Sequence, residues 1–153
     1  MQTVTIDGRR ITYQHVGQGP PVILAHCSSG FHRMWSTAIA ELSTRYRVLA
    51  PDLLGYGKSE RWRPGDLLEP DDDTNVIRGL AFLVGGPVHL VGHSFGGSVV
   101  LEAARTLGDQ VRSLTLIEPV TFHLLRLARR EAEWAEISEV SREMQAAAAK
   151  GHL

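Results

Sequence analysis

The chain has 153 residues, 43% apolar and 22% charged, with a formal net charge of −1. That length suits one domain with a substantial core, and the charge balance excludes a general attraction to nucleic acid or to an anionic membrane surface. A single cysteine, Cys27, excludes an internal disulfide framework and fits a reducing, cytoplasmic setting.

The N-terminus, Met1 to Asp7, lacks the basic start and apolar stretch of a signal peptide. Thr3–Ile6 and Arg10–His15 form a predicted hairpin around Asp7-Gly8. Gly17-Gln18-Gly19-Pro20 reads as a turn, and Pro21–His26 as a buried strand. Trp35–Leu42 is predicted helical, with Ile39 and Leu42 on one face. Arg47–Ala50 is a strand closed by Pro51-Asp52, and Gly55-Tyr56-Gly57 follows in a loop. Residues 61–70 read as a polar, proline-bearing loop. Asp71-Asp72-Asp73 opens a helix through Leu83, its acidic first turn matching the helix dipole and lying in solvent. Val88–Val91 is a short apolar strand, Val111–Ile117 another, and the chain from Phe122 reads as helical to its end. Between Gly79 and Leu101 no Lys, Arg, Asp or Glu occurs. Six glycines, Pro87, two histidines and two serines interrupt that stretch, so it reads as buried core elements and not as a membrane span. Strands alternating with helices imply a mostly parallel sheet covered on both faces.

Gly92-His93-Ser94-Phe95-Gly96 has the form G-x-S-x-G and stands between a strand and a helix that opens on small residues. A serine on so sharp a turn has a strained backbone, and glycines two positions away on either side let the chains approach. The turn lifts the hydroxyl clear of the sheet beside a helix N-terminus, where developing negative charge is favoured.

Other landmarks stand in a matching order: His26-Cys27-Ser28-Ser29-Gly30 at a strand end, Trp35 in the next helix, the run Tyr46–Ser59 ending in Gly-x-Gly-x-Ser, and Ser113–Pro119 as a sixth strand. Over about residues 1–120 the chain resembles the N-terminal two-thirds of an α/β-hydrolase. The resemblance implies an α/β fold with a mostly parallel sheet of about six strands, helices on both faces, and the family's last two strands lacking. It further implies a partial hydrolase core over 1–120 and the helical start of a cap over 121–153. By position, Ser94 would be the nucleophile, activated by a histidine in hydrogen-bond reach. The N–H groups of Phe95 and Ser28 would form the oxyanion hole, although Cys27 stands where the family usually has glycine. Cys27 itself reads as a small buried side chain.

The family's acid usually follows the seventh strand and its histidine the eighth. Some relatives, haloalkane dehalogenases among them, place the acid after the sixth strand, where this chain has Glu118. Glu118 is thus either the catalytic acid or a structural carboxylate binding loop amides before Pro119. Among the histidines, His15 and His89 read as structural, His26 as the residue that fixes the loop after its strand, His93 as packed beneath the elbow, and His152 as terminal. His32 and His123 remain as candidates for the base, and neither matches the family's position.

Gly55–Ser59 lacks the first glycine of a phosphate-binding loop, because Asp52 stands there. Gly17-Gln18-Gly19 lacks the third glycine of a dinucleotide fingerprint. No compact metal-ligand spacing occurs, so neither a metal nor a cofactor is expected. Trp134, Ile137, Val140 and Met144 make an apolar stripe on a polar helix that wants a partner surface. The expected function is hydrolysis of a small ester or related acyl compound through Ser94, with perhydrolysis or carbon–carbon bond hydrolysis as variants of the same fold. The alternative is a non-catalytic binding module that needs a partner. The expected ligand is a small molecule, with no nucleic-acid or membrane partner. Self-association through an exposed sixth-strand edge is a further expectation.

Overall fold

The computed structural model describes residues 1–61 and 71–149; the predicted loop beyond Arg61 and the last four residues lie outside these. The chain divides into two compact units, Met1–Val120 and Thr121–Leu153.

The first unit is built on a six-stranded sheet: β1 (Gln2–Ile6), β2 (Arg9–Val16), β3 (Pro21–Ala25), β4 (Arg47–Pro51), β5 (Val88–His93) and β6 (Val111–Ile117). Spatial order is β1-β2-β4-β3-β5-β6. The hairpin of β1 and β2 is antiparallel, with Ile6 opposite Arg9. Its turn residues Asp7 and Gly8 have φ of 48° and 75°, the primed-turn geometry that matches strand twist. β2 runs antiparallel to β4, whereas β4, β3, β5 and β6 are mutually parallel. The expected mostly parallel sheet is therefore present, with a hairpin on one flank.

Apolar residues on both sides of β3 and β4 explain the burial of both sheet faces. Ile23, Ala25 and Leu49 face one core with Val76, Ile77 and Leu80 of α2 (Asp72–Val84) and Val99, Val100 and Ala103 of α3 (Phe95–Leu107). Val22, Leu24, Val48 and Ala50 face the other, with Trp35 and Ile39. Ile39 lies on α1 (Ser36–Leu42), and Trp35 ends a 3-10 turn over His32–Trp35. The predicted helix from Trp35 thus begins as a tighter turn. α2 stops at Gly85, whose left-handed φ of 65° is the usual glycine C-terminal signal. At the far flank, β6 has β5 on one side and no strand on the other among the described residues.

One expectation for α2 is corrected. Its acidic first turn does not lie wholly in solvent: Asp73 is buried, and its carboxylate accepts the Leu54 N–H at 2.8 Å. The helix start is thereby anchored to the segment after β4.

In the second unit, α4 (His123–Leu127) and α5 (Glu131–Ala149) replace the single helix expected from Phe122. Arg129, with φ of 55°, breaks the run between them. The Arg126 guanidinium lies over the Trp134 ring at 5.6 Å, a cation–π contact. Trp134 and Ile137 are half-buried and Val140 is exposed, so the predicted stripe is only partly covered; the Met144 side chain lies outside the described residues. No described helix is long and apolar enough to cross a membrane.

Candidate active site

Parallel strands place their C-terminal ends together, and the candidate residues gather there. Ser94 follows β5 directly and precedes α3, with φ of 52° and ψ of −119°. That backbone is unfavourable for any residue with a Cβ. It is held from three directions. The Ser94 N–H donates to the Ile117 carbonyl at 2.9 Å, while its own carbonyl accepts from Gly97 and Ser98 of α3 at 2.9 and 3.3 Å and from Val120 at 3.3 Å.

The glycines of the motif explain how strand and helix fit so closely. A Cβ on Gly92 would overlap the Gly96 carbonyl oxygen, and one on Gly96 would overlap the carbonyl oxygens of Ala25 and His26. A Cβ on Gly97 would meet Pro119 at 3.0 Å. The first turn of α3 is therefore wedged between the ends of β3, β5 and β6. Phe95 opens α3, so its N–H belongs to the helix-end donors that lack an intrahelical acceptor.

The segment after β3 leaves from the strand end that α3 abuts. His26, fully buried, is committed at both ring nitrogens: Nδ1–H donates to the Cys27 carbonyl at 2.7 Å, and Nε2 accepts the Leu53 N–H at 2.9 Å. Burial lowers its pKa, which keeps this neutral tautomer. The role read for His26, fixing its loop, is the one its contacts show. Cys27 is half-buried, less enclosed than expected, and Ser28 is exposed.

His32 differs from its expectation. It is buried, with its main-chain N–H 2.9 Å and its ring Nδ1 2.7 Å from Asp52 Oδ1. That bond ties Nδ1 to a buried carboxylate, and among the described residues no hydrogen bond joins the His32 ring to Ser94. Asp52 is itself fully buried, and its Oδ2 accepts the Lys58 N–H at 2.8 Å. The Gly55–Ser59 loop, which lacks the first glycine of a phosphate-binding loop, thus wraps a carboxylate.

Glu118 directly follows β6, with φ of 46°. Its side chain is 89% exposed, and His93 Nε2 stands 3.9 Å from its Oε2. The buried Nδ1 of His93 has no hydrogen-bond partner among the described residues. Sequence reasoning placed both residues but not their proximity, which follows from the pairing of His93 with Ile117. His15 bonds Gln2 at 3.1 Å and His89 bonds Ser113 at 2.7 Å, the structural roles expected of them. The side chain of His123, and all of His152, lie outside the described residues. No cluster of three or more metal-binding side chains occurs among the described residues.

Tyr56 packs edge-on against His26, with ring centroids 5.1 Å apart. Its hydroxyl pKa is raised by burial, then by the charges of Asp73 and Cys27. Burial also raises Asp73 to about 6, opposed by the Leu54 N–H and reinforced by Asp72.

Residues 22–150 match the profile of the Alpha/beta hydrolase family. Lipase LipV of Mycobacterium tuberculosis is 36% identical over 111 residues, covering 69% of this chain and 40% of the lipase. Haloalkane dehalogenase 2 of the same organism is 33% identical over 108 residues, covering 70% and 37%. Among solved structures, a thermophilic esterase from Thermogutta terrifontis superposes with a TM-score of 0.71 at 29% identity, covering 78% of this chain and 46% of the esterase. The chain thus spans less than half the length of these relatives.

Proposed function

The chain belongs to the alpha/beta hydrolase family, and we propose that it serves hydrolysis of a small ester or related acyl substrate with Ser94 as nucleophile. The observation that carries this reading is the backbone of Ser94: a left-handed, triply anchored residue at a strand-to-helix junction. Such strain persists where the surroundings over-determine it, typically at functional sites. The hydrolase names of the relatives agree with the reaction class.

In the proposed reaction, Ser94 Oγ attacks the substrate carbonyl carbon while its proton passes to a histidine ring. The carbonyl π-pair moves onto oxygen, and the N–H groups of Phe95 and Ser28 receive the resulting oxyanion. Collapse expels the alcohol, protonated by the same ring, and water then releases the acid by the same steps. Glu118 orients and stabilises the ring that takes the proton. That ring is not His26, whose two nitrogens are both committed.

A fluorophosphonate probe tests the reading, because it phosphonylates only an activated serine. The expected result is a single adduct mapped to Ser94. A folded chain by circular dichroism that takes no label would overturn it.

The second reading, a non-catalytic module that works with a partner, is favoured by the edge of β6 that no strand covers among the described residues. Unpaired strand edges readily accept another chain. An unlabelled chain that elutes as a dimer in size-exclusion runs, and as a monomer when Thr115 and Ile117 are both changed to lysine, is the result this reading expects.

A further inference from the structure

We propose that Asp52 and His32 are positioning residues that set the backbone of Cys27–Phe31, and with it the N–H of Ser28. This rests on the reading of that segment as the oxyanion loop.

The five residues between His26 and His32 hold themselves only weakly. The loop closes one turn, with the Gly30 N–H on the Cys27 carbonyl at 3.0 Å. Among the described residues, the exposed side chains of Ser28 and Ser29 make no hydrogen bond that would fix it. Its two flanking histidines do the fixing, and both bond to residues at the end of β4: His26 to Leu53 and His32 to Asp52.

Asp52 is suited to act as the fixed point. Its N–H donates to Thr12 on β2 at 2.9 Å, and its carbonyl accepts the Ser59 hydroxyl at 2.6 Å. Oδ2 is taken by Lys58, and Gly57 lies so close that a Cβ there would overlap the carboxylate. The carboxylate therefore has no alternative place to go. Oδ1 holds both the main chain and the ring of His32, so a single oxygen fixes where the loop ends and how its last residue is rotated. Hydrogen bonds to a buried carboxylate are among the stronger ones in proteins. Oxyanion donors must be placed to within a fraction of an ångström to be effective. The pair acts through the loop and touches no substrate.

The test compares wild type with His32→Phe, His32→Leu and His32→Asn. Phenylalanine keeps the ring shape without the donor, and leucine is a second donor-free variant if the first does not fold. Asparagine places its side-chain N–H where Nδ1 stands. Two readouts are taken: the rate of Ser94 labelling by a fluorophosphonate, and amide hydrogen exchange of residues 27–34. The donor-free variants are expected to label about tenfold more slowly. They should also exchange faster in 27–34 while β4 and β5 exchange as in wild type. His32→Asn is expected to return both readouts to within about twofold of wild type. Wild-type labelling and exchange in the donor-free variants would overturn the proposal. An asparagine variant as slow as the phenylalanine one would do the same. If wild type itself takes no label, the nucleophile reading falls alone, and the exchange rates with their rescue by asparagine still decide the role of the pair.

Discussion

The main-chain N–H of Ser94 donates to the Ile117 carbonyl at 2.9 Å, so the candidate nucleophile itself makes the last rung between β5 and β6. Its hydroxyl is thereby referenced to the two strand ends, while its backbone stays in a region that glycine tolerates better. Ser94→Gly is expected to stabilise the fold by about 0.5–1 kcal/mol, the strain relieved less the added freedom of the unfolded chain. The same variant should lose all fluorophosphonate labelling. Urea titrations of wild type and variant measure the first effect, and a less stable glycine variant would contradict the strain.

Gly96 separates the elbow from the end of β3. A methyl group there has no free space, because the carbonyl oxygens of Ala25 and His26 occupy it. Gly96→Ala is expected to destabilise by about 2–4 kcal/mol, an overpacking effect. Gly97→Ala, which meets Pro119 at 3.0 Å, should cost less than half as much. Thermal melts of the two variants rank them directly.

Asp73 links stability to pH. Burial raises its folded-state pKa to about 6 from the ordinary 3.8 of an aspartate. Between those values the folded chain binds more protons than the unfolded one, so this group's contribution to stability falls as pH rises from about 4 to about 6 and is level above that. Asp73→Asn keeps an oxygen acceptor for the Leu54 N–H and removes the buried charge. At pH 7.5 it should be more stable than wild type by about 1–2 kcal/mol, with the gain fading as pH drops toward 4. Denaturation at four or five pH values checks the sign. A variant less stable at pH 7.5 would show that the charged form is favoured.

Glu118 separates catalysis from stability because its side chain is 89% exposed. Glu118→Gln should leave the melting midpoint within what about 0.5 kcal/mol would shift. If the carboxylate orients the base, labelling at Ser94 should slow by on the order of 10²–10⁴-fold. An unchanged labelling rate would remove Glu118 from the mechanism and leave it as a surface carboxylate near His93.

Much of this arrangement is legible in the sequence because its causes are local. β6 covers the predicted Val111–Ile117, and the hairpin turns at Asp7-Gly8 as a type with two positive φ values should. The elbow is visible because its spacing is local, with Gly92 facing Gly96, although Ala25 and His26 crowd Gly96 and Pro119 crowds Gly97 from farther along the chain. What stays hidden depends on distant pairings. Asp52 and Asp73 are carboxylates, which composition assigns to solvent, yet each is buried by donors from elsewhere: His32 and Lys58 for one, Leu54 for the other. The commitment of His32 is invisible for the same reason. The break between α4 and α5 falls at Ala128-Arg129-Arg130, good helix formers with no glycine or proline to announce a stop.

The strand order has a consequence for how the chain is made. β3 lies between β4 and β5, so a strand complete by Ala25 waits for Val88–His93 before its second edge is covered. During synthesis the hairpin can form early and β4 can join it, but the central apolar strand stays half-open until more than sixty further residues have emerged. Loop closure over such a span is slow relative to local turns. A nascent chain halted anywhere before β5 would therefore present Val22–Ala25 as a sticky edge, and chaperone engagement should concentrate in that interval and end as β5 docks.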